Sequence, residues 1–258
     1  MDLGHPITMP EQSTAAWPAG MVVLVPVFNH AAMVGAVVAG ARKLGAPVLV
    51  VDDGSSDGSG AAAAEAGADV ITLPENQGKA AALREGMAEA TRRGYCQALT
   101  ADADGQHPTH EIGRLAQSAQ AVTGAIHIGS RDMRTAPFIS RLGRFLSNSW
   151  SWLACGAWMG DSQSGLRVYP LPDTLDLDAP ADRYAYEIEV LVRAAWSGIA
   201  IRNLEVDVIY PEDRVSHFNK LRDNIRAGLV LSRLCWRRVC PWLRTRPPKA
   251  AVAVTGDA

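Results

Sequence analysis

Asp102 and Asp104 stand two residues apart in LTADADGQHP, residues 99–108, directly after a short apolar run. Alternate residues of an extended segment point the same way, so both carboxylates face one place. Left unpaired they repel each other, and a divalent cation removes that cost. Mg²⁺ and Mn²⁺ prefer oxygen ligands, and Mg²⁺ commonly takes one or two carboxylates plus substrate phosphates. The pair therefore reads as a seat for a metal and a diphosphate. Gln106 can add an amide oxygen, and Gly105 lets the backbone come close to a ligand. Two solvated loop acids would look the same in isolation. Their place at a strand end is what singles them out.

Three other stretches carry possible chemistry. In VVDDGSSDGSG, residues 50–60, Asp53 ends an apolar run. A carboxylate there can accept from a ribose hydroxyl or a base N–H. Asp57 reads instead as a helix N-cap. In PVFNH, residues 26–30, a proline and Asn29 make a rigid turn whose backbone groups can frame a base. In NQGKAAALREG, residues 76–86, Lys79 falls in the first turn of a helix. Free N–H groups and the positive dipole end suit an anion there, and a lysine alone does not. Lys79 thus points to a phosphate or acidic ligand nearby, with a plain surface lysine as the alternative.

The positioning elements follow from hydrophobic periodicity. Strands are expected at 21–27, 47–51, 70–73, 97–100, 125–129 and 199–210. Helices are expected at 31–44, 59–66, 79–93, 108–122, 137–159 and 184–196, with a basic amphipathic helix at 218–239. Strand–helix alternation with short turns predicts a mainly parallel, Rossmann-like α/β sheet flanked by helices. Ligands of such sheets bind beyond the carboxyl ends of the strands. Asn29, Asp52/Asp53, Asn76 and Asp102/Asp104 all fall at that edge.

Composition sets the limits. The 258 residues can bury a real core, and a net charge of −2 gives no reason to expect nucleic acid. Basic residues dominate from Arg214 to Lys249, which fits contact with anionic lipid or phosphate, or else a solvated basic helix. The four cysteines show no zinc spacing; reduced thiols and a cytosolic location are expected, with Cys96 as a core thiol. Residues 1–20 lack the basic start and apolar core of a signal peptide and read as a loose leader. The uncharged stretch 145–160 is too short and polar to span a bilayer, yet its tryptophans suit a membrane surface, or else a core helix.

Taken together, VPVFN, VVDDGSSDGS, NQGKAAAL, ADADGQHP, GSR and DSQSGLRVY resemble the ordered motifs of inverting family 2 glycosyltransferases. The type most resembled is the dolichyl- or polyprenyl-phosphate hexose synthase, and the likeness runs from Met21 to about Asn224. It implies a glycosyltransferase A fold, a UDP- or GDP-hexose donor and a Mg²⁺ or Mn²⁺ ion. It implies Pro26, Phe28 and Asp53 at the nucleoside; Asn29 and Lys79 join the donor side on the reading of their own turns. Asp102 and Asp104 would sit at the metal and diphosphate, and Gln106 at the metal or sugar. Arg131 and Arg214 would clamp phosphates, a task suited to the guanidinium fork. Asp161 falls where the family keeps an acid near the acceptor, with Glu187 and Glu189 as the other candidates and Ser164, Gly165 and Arg167 shaping that side. A hydroxyl acceptor needs a general base, whereas a phosphate acceptor is already ionised.

The organisation expected is a leader at 1–20, one catalytic domain at 21–240 and a disordered tail at 241–258. Within the domain, 21–130 forms the nucleotide-sugar half and 131–240 the acceptor half. The acceptor is expected to be a lipid or lipid phosphate, with peripheral membrane contact on the cytosolic face. The alternatives are a hydroxyl of another lipid or small molecule, or a haloacid dehalogenase-type phosphatase, which also carries Asp-x-Asp-Gly. Gln106 argues against the phosphatase, which has Thr or Val there.

Overall fold

The computed structural model describes residues 16–131, 148–156, 159–209 and 220–239. The first half alternates strictly: β1 (Met21–Val27), α1 (Ala31–Lys43), β2 (Val48–Asp52), α2 (Ser59–Glu65), β3 (Asp69–Thr72), α3 (Lys79–Arg92), β4 (Gln97–Thr100) and α4 (Thr109–Gln120). β5 (Ile126–Arg131) follows, then a helix at 148–155, here α5, and β6 (Arg167–Pro170). A 3₁₀ turn (Leu175–Leu177), α6 (Arg183–Trp196), β7 (Ile201–Val206) and α7 (Lys220–Val239) complete the chain as described.

The strands form one seven-stranded sheet in the order β3-β2-β1-β4-β6-β5-β7. β1 pairs parallel with β2 and β4, β2 with β3, and β5 with β7. Only β6 runs against its neighbours, β4 and β5. Both faces are covered, so strands that alternate in facing are apolar throughout. Val22 and Leu24 join a core with α3 and α6, whereas Met21, Val23 and Val25 join one with α1, α2 and α4. Burial on two sides is why MVVLVPV shows no polar alternation.

Several expectations change. RVYP at 167–170 is a strand that periodicity does not show, because it is short, begins with a fully buried arginine and ends in proline. The last strand is shorter than expected, since pairing stops at Val206 and Tyr210 lies outside the described residues. The expected helix at 137–159 is described only at 148–155. Cys96 is exposed rather than a core thiol: it stands in the turn before β4, where its Sγ donates to Gly20 O at 3.4 Å. Residues 1–15 of the expected leader and the tail at 241–258 lie outside the described residues. At the leader's end Trp17 packs on the second core and donates from Nε1 to Met21 O at 2.9 Å.

Candidate active site

β1, β2, β3 and β4 are adjacent and parallel, so their carboxyl ends share one edge. The chain builds outward from β1 to β3, then returns to place β4 on the other side of β1. That reversal opens a crevice between the loops after β1 and β4, the usual ligand position in such sheets.

The loops at this edge brace one another. Asn29, at a positive φ of 53°, receives a backbone N–H from Ser56 on Oδ1 and donates its own N–H to Ser55 Oγ. Asp57 caps two helices: Oδ2 accepts from Ala31 N, and Oδ1 accepts from Ser59 N and Oγ. Burial alone would push the Asp57 carboxyl up, but these hydrogen bonds together hold it below its ordinary value. Asp53 is buried and accepts from Gln77 N and Gly78 N, both at 2.8 Å, tying β2 to the start of α3. Burial nonetheless pushes its carboxyl up, and Asp52 adds to that. Pro26 and Phe28, each half-buried, bracket the end of β1.

Asp102 lies just beyond β4. Its Oδ1 receives Lys79 Nζ at 2.7 Å, and the same ammonium donates to Glu187 Oε1 at 3.1 Å. His107 Nε2 is 3.6 Å from Asp102 Oδ2. Burial alone would push the Asp102 carboxyl up, but the Lys79 ammonium and His107 hold it well below the carboxylate range. Asp104, past the next residue, accepts from Gln106 N at 3.2 Å and from Gln106 Nε2. Gly105 makes this turn at a φ of +72°. Gly165 crosses so close that a Cβ there would lie 2.3 Å from Asp102 Oδ2.

These groups fit Mg²⁺ or Mn²⁺. The donors are hard oxygens, Lys79 already shows that Asp102 accepts a cation, and His107 Nδ1 is buried beside it with no hydrogen-bond partner. A second acidic group, His110, Glu111 and Asp207, brings its ligand atoms within 4.8 Å of one another. There Arg114 donates to both Glu111 oxygens at 2.8 Å, which accounts for that carboxylate without a metal.

Arg131 ends β5 and grips Asp161 with two bonds, Nε to Oδ2 at 2.6 Å and Nη2 to Oδ1 at 3.1 Å. Asp161 is fully buried, so the pair is a fixed fork. Its loop is held from below by Arg167, which donates to Ser162 O, Ser164 O and Glu187 O. Glu187 and Glu189 are buried; Glu189 pairs with Arg193 and accepts from Ala181 N. Arg214 lies outside the described residues. Sequence reasoning missed His107, although it stands in the same stretch as the acid pair. It also missed Asn203, whose Oδ1 accepts from Gly160 N and Ser130 Oγ across 43 and 73 residues. An asparagine in an ordinary edge strand gives no local signal.

Residues 22–144 match the profile of Glycosyl transferase family 2. Glycosyltransferase AglJ of Haloferax volcanii is 31% identical over 228 residues, spanning 86% of this chain and 72% of its own length. The chain belongs to glycosyl transferase family 2. Polyprenol monophosphomannose synthase of Mycolicibacterium smegmatis is 29% identical over 195 residues, 70% of this chain and 73% of that one. A solved structure of glucosyl-3-phosphoglycerate synthase from Mycobacterium tuberculosis, in complex with Mn²⁺, uridine diphosphate and glucosyl-3-phosphoglycerate, superposes with a TM-score of 0.62. It shares 19% identity over 84% of this chain and 80% of that chain, so the likeness is one of fold, the glycosyltransferase A fold. This family 2 chain is therefore a glycosyltransferase, and the phosphatase alternative falls away.

Proposed function

We propose that the enzyme moves a hexose, with inversion, from a UDP- or GDP-hexose to a lipid-linked phosphate such as a polyprenyl phosphate. A divalent cation would assist, and the work would take place at a membrane face. The observation that carries this reading is the crevice itself. Lys79 meets Asp102 just beyond β4, Asp104 stands two residues further on in the same turn, and the Arg131–Asp161 fork ends β5. The name of the mycobacterial relative, a polyprenol monophosphomannose synthase, supports the acceptor class. The Mn²⁺ and uridine diphosphate in the solved neighbour support the metal and the donor.

In this reading 21–130 holds the donor and 131–240 the acceptor. Asp53 keeps the start of α3 in place, and the turns after β1 and β2 frame the base. Asp102 and Asp104, with Gln106, would hold the cation, which when bound neutralises charge on the departing diphosphate. Lys79 supplies a second, permanent positive charge, steadied from behind by buried Glu187. The acceptor phosphate needs no general base, because it is already an anion. Asp161 then acts on Arg131: it fixes the orientation of the guanidinium that this reading sets against a phosphate.

Calorimetric titration of UDP, GDP and their hexose conjugates, with and without Mn²⁺, tests this. Metal-dependent binding of one nucleotide is expected, lost in Asp104→Ala. Absence of binding to any of them, with metal present, removes the donor reading.

A further inference from the structure

Two helices of the second half expose large apolar side chains. On α5, Trp150, Trp152 and Leu153 are 47%, 51% and 49% exposed; on α7, Leu229 and Trp236 are 67% and 64% exposed. On α7 the inward residues are Leu231 and Leu234, both buried. Leu229, Arg233 and Trp236, spaced by four and three, share the outward face. The helices belong to one surface: Cys235 Sγ lies 3.9 Å from Trp150 O, and Arg238 donates to the carbonyls of Trp152, at 3.2 Å, and Leu153, at 2.5 Å.

The charge of this surface decides what fits it. The described side chains of α7 include Arg233, Arg237 and Arg238 and no acid, and residues 148–156 carry no charge. A second copy of this chain would bring the same excess of positive charge to the contact, with no acids in the patch to meet it. Anionic headgroups supply the missing charge, and tryptophan and leucine enter the boundary between headgroup and acyl chain. No described helix is long and apolar enough to cross a membrane. We propose that α5 and α7 form a docking surface for an anionic lipid bilayer.

The surface is also stitched to the acceptor side of the site. Asn148, on α5, donates from Nδ2 to Gly160 O at 3.0 Å and accepts from Ser162 N on Oδ1 at 3.2 Å. These two residues flank Asp161, the partner of Arg131. A bilayer under α5 therefore lies next to the loop that would receive a phosphate carried by a lipid. This role rests on the lipid-linked acceptor reading; the binding itself does not.

Flotation with vesicles of phosphatidylcholine alone, or with about one third phosphatidylserine, tests the docking. The native protein is expected to float only with the anionic vesicles. Arg233→Gln is expected to weaken partitioning about fivefold, and Trp150→Ala with Trp236→Ala about tenfold or more. Brominated lipid should quench native tryptophan fluorescence and lose much of that effect in the double variant. All these side chains are exposed, so circular dichroism should stay native and nucleotide binding unchanged. No flotation of the native protein on anionic vesicles overturns the proposal. So do variants that float as well as the native chain, or substitutions that split a dimer in sedimentation while leaving vesicle binding intact. Flotation without any nucleotide binding would keep the docking and remove the donor reading; the reverse result would keep the donor reading and remove the docking.

Discussion

Asp102 is placed by two contacts that pull in different directions. Lys79 draws its carboxylate toward α3, and the Gly165 backbone limits how far it can move the other way. In Gly165→Ala the new Cβ would sit 2.3 Å from Oδ2 and 2.6 Å from Oδ1, so the carboxylate must shift. Overpacking of this kind costs about 1–3 kcal/mol. Here the strain falls on Asp102 itself, so the metal-dependent nucleotide binding of the proposed function should weaken about tenfold or more by calorimetry. Asp57 works differently, as a cap on α1 and α2. Asp57→Ala should cost about 0.5–2 kcal/mol in denaturant unfolding. Its carboxyl is held below the ordinary value, so the ionised form is the one the fold favours. The stabilisation is complete above the unfolded value near about 4 and fades as pH falls through the lowered folded value. The stability gap between native and Asp57→Ala should therefore be constant from about pH 5 to 8 and shrink in stronger acid.

α3 links the core to the site, because it carries Lys79 at its start and packs on β1 and β2 along its length. Gly86 makes that packing close: a Cβ there would lie 2.3 Å from Leu24 Cδ1 and 3.0 Å from Val51 Cγ2. Both neighbours are fully buried and have little room to give. Alanine would gain up to about 1 kcal/mol of helix propensity. The overpacking costs about 1–3 kcal/mol, and it should win. Gly86→Ala should lower the thermal midpoint, whereas the same change at a solvated helix glycine raises it. β6 is the other decisive element. It brings Arg167 and the Asp161 loop against β4, and without it the two halves of the crevice would not face each other.

The whole molecule offers a mass-action test of the donor reading. A ligand that binds only the folded chain stabilises it by about 2.7 kcal/mol at a hundred times its dissociation constant. For a domain of this size that is about 5–10 °C in melting temperature. The matching nucleotide with Mn²⁺ should produce such a shift by calorimetry, and a chelator should abolish it. Nucleotide without metal, or metal without nucleotide, should shift the midpoint far less. The sheet explains why: the loops after β1, β2 and β3 are tied to one another through Asn29, Asp53 and Asp57, and Lys79 joins the start of α3 to Asp102 after β4. A ligand bridging them therefore adds to the stability of the entire parallel half.

The first half of the chain was legible from sequence because its signals are local. An apolar run ending in an acid, a glycine turn and a helix start all fall within one window, and parallel pairing then delivers four such ends to one edge. That reasoning located Asp53, Lys79, Asp102 and Asp104 at the crevice. It left open that Lys79 would join Asp102 to Glu187, 108 residues further on. It did not show that β6 would run antiparallel, or that Glu187 and Glu189 would be buried. Which charges pair, and which apolar faces are left uncovered, depends on how distant segments meet, and no local pattern encodes that. Residue chemistry and periodicity determined the elements from β1 to α4, the crevice edge and the candidate acids. Only tertiary packing decided the partners of those acids and the exposure of Trp150, Trp152 and Trp236, because burial and charge pairing are properties of neighbours in space.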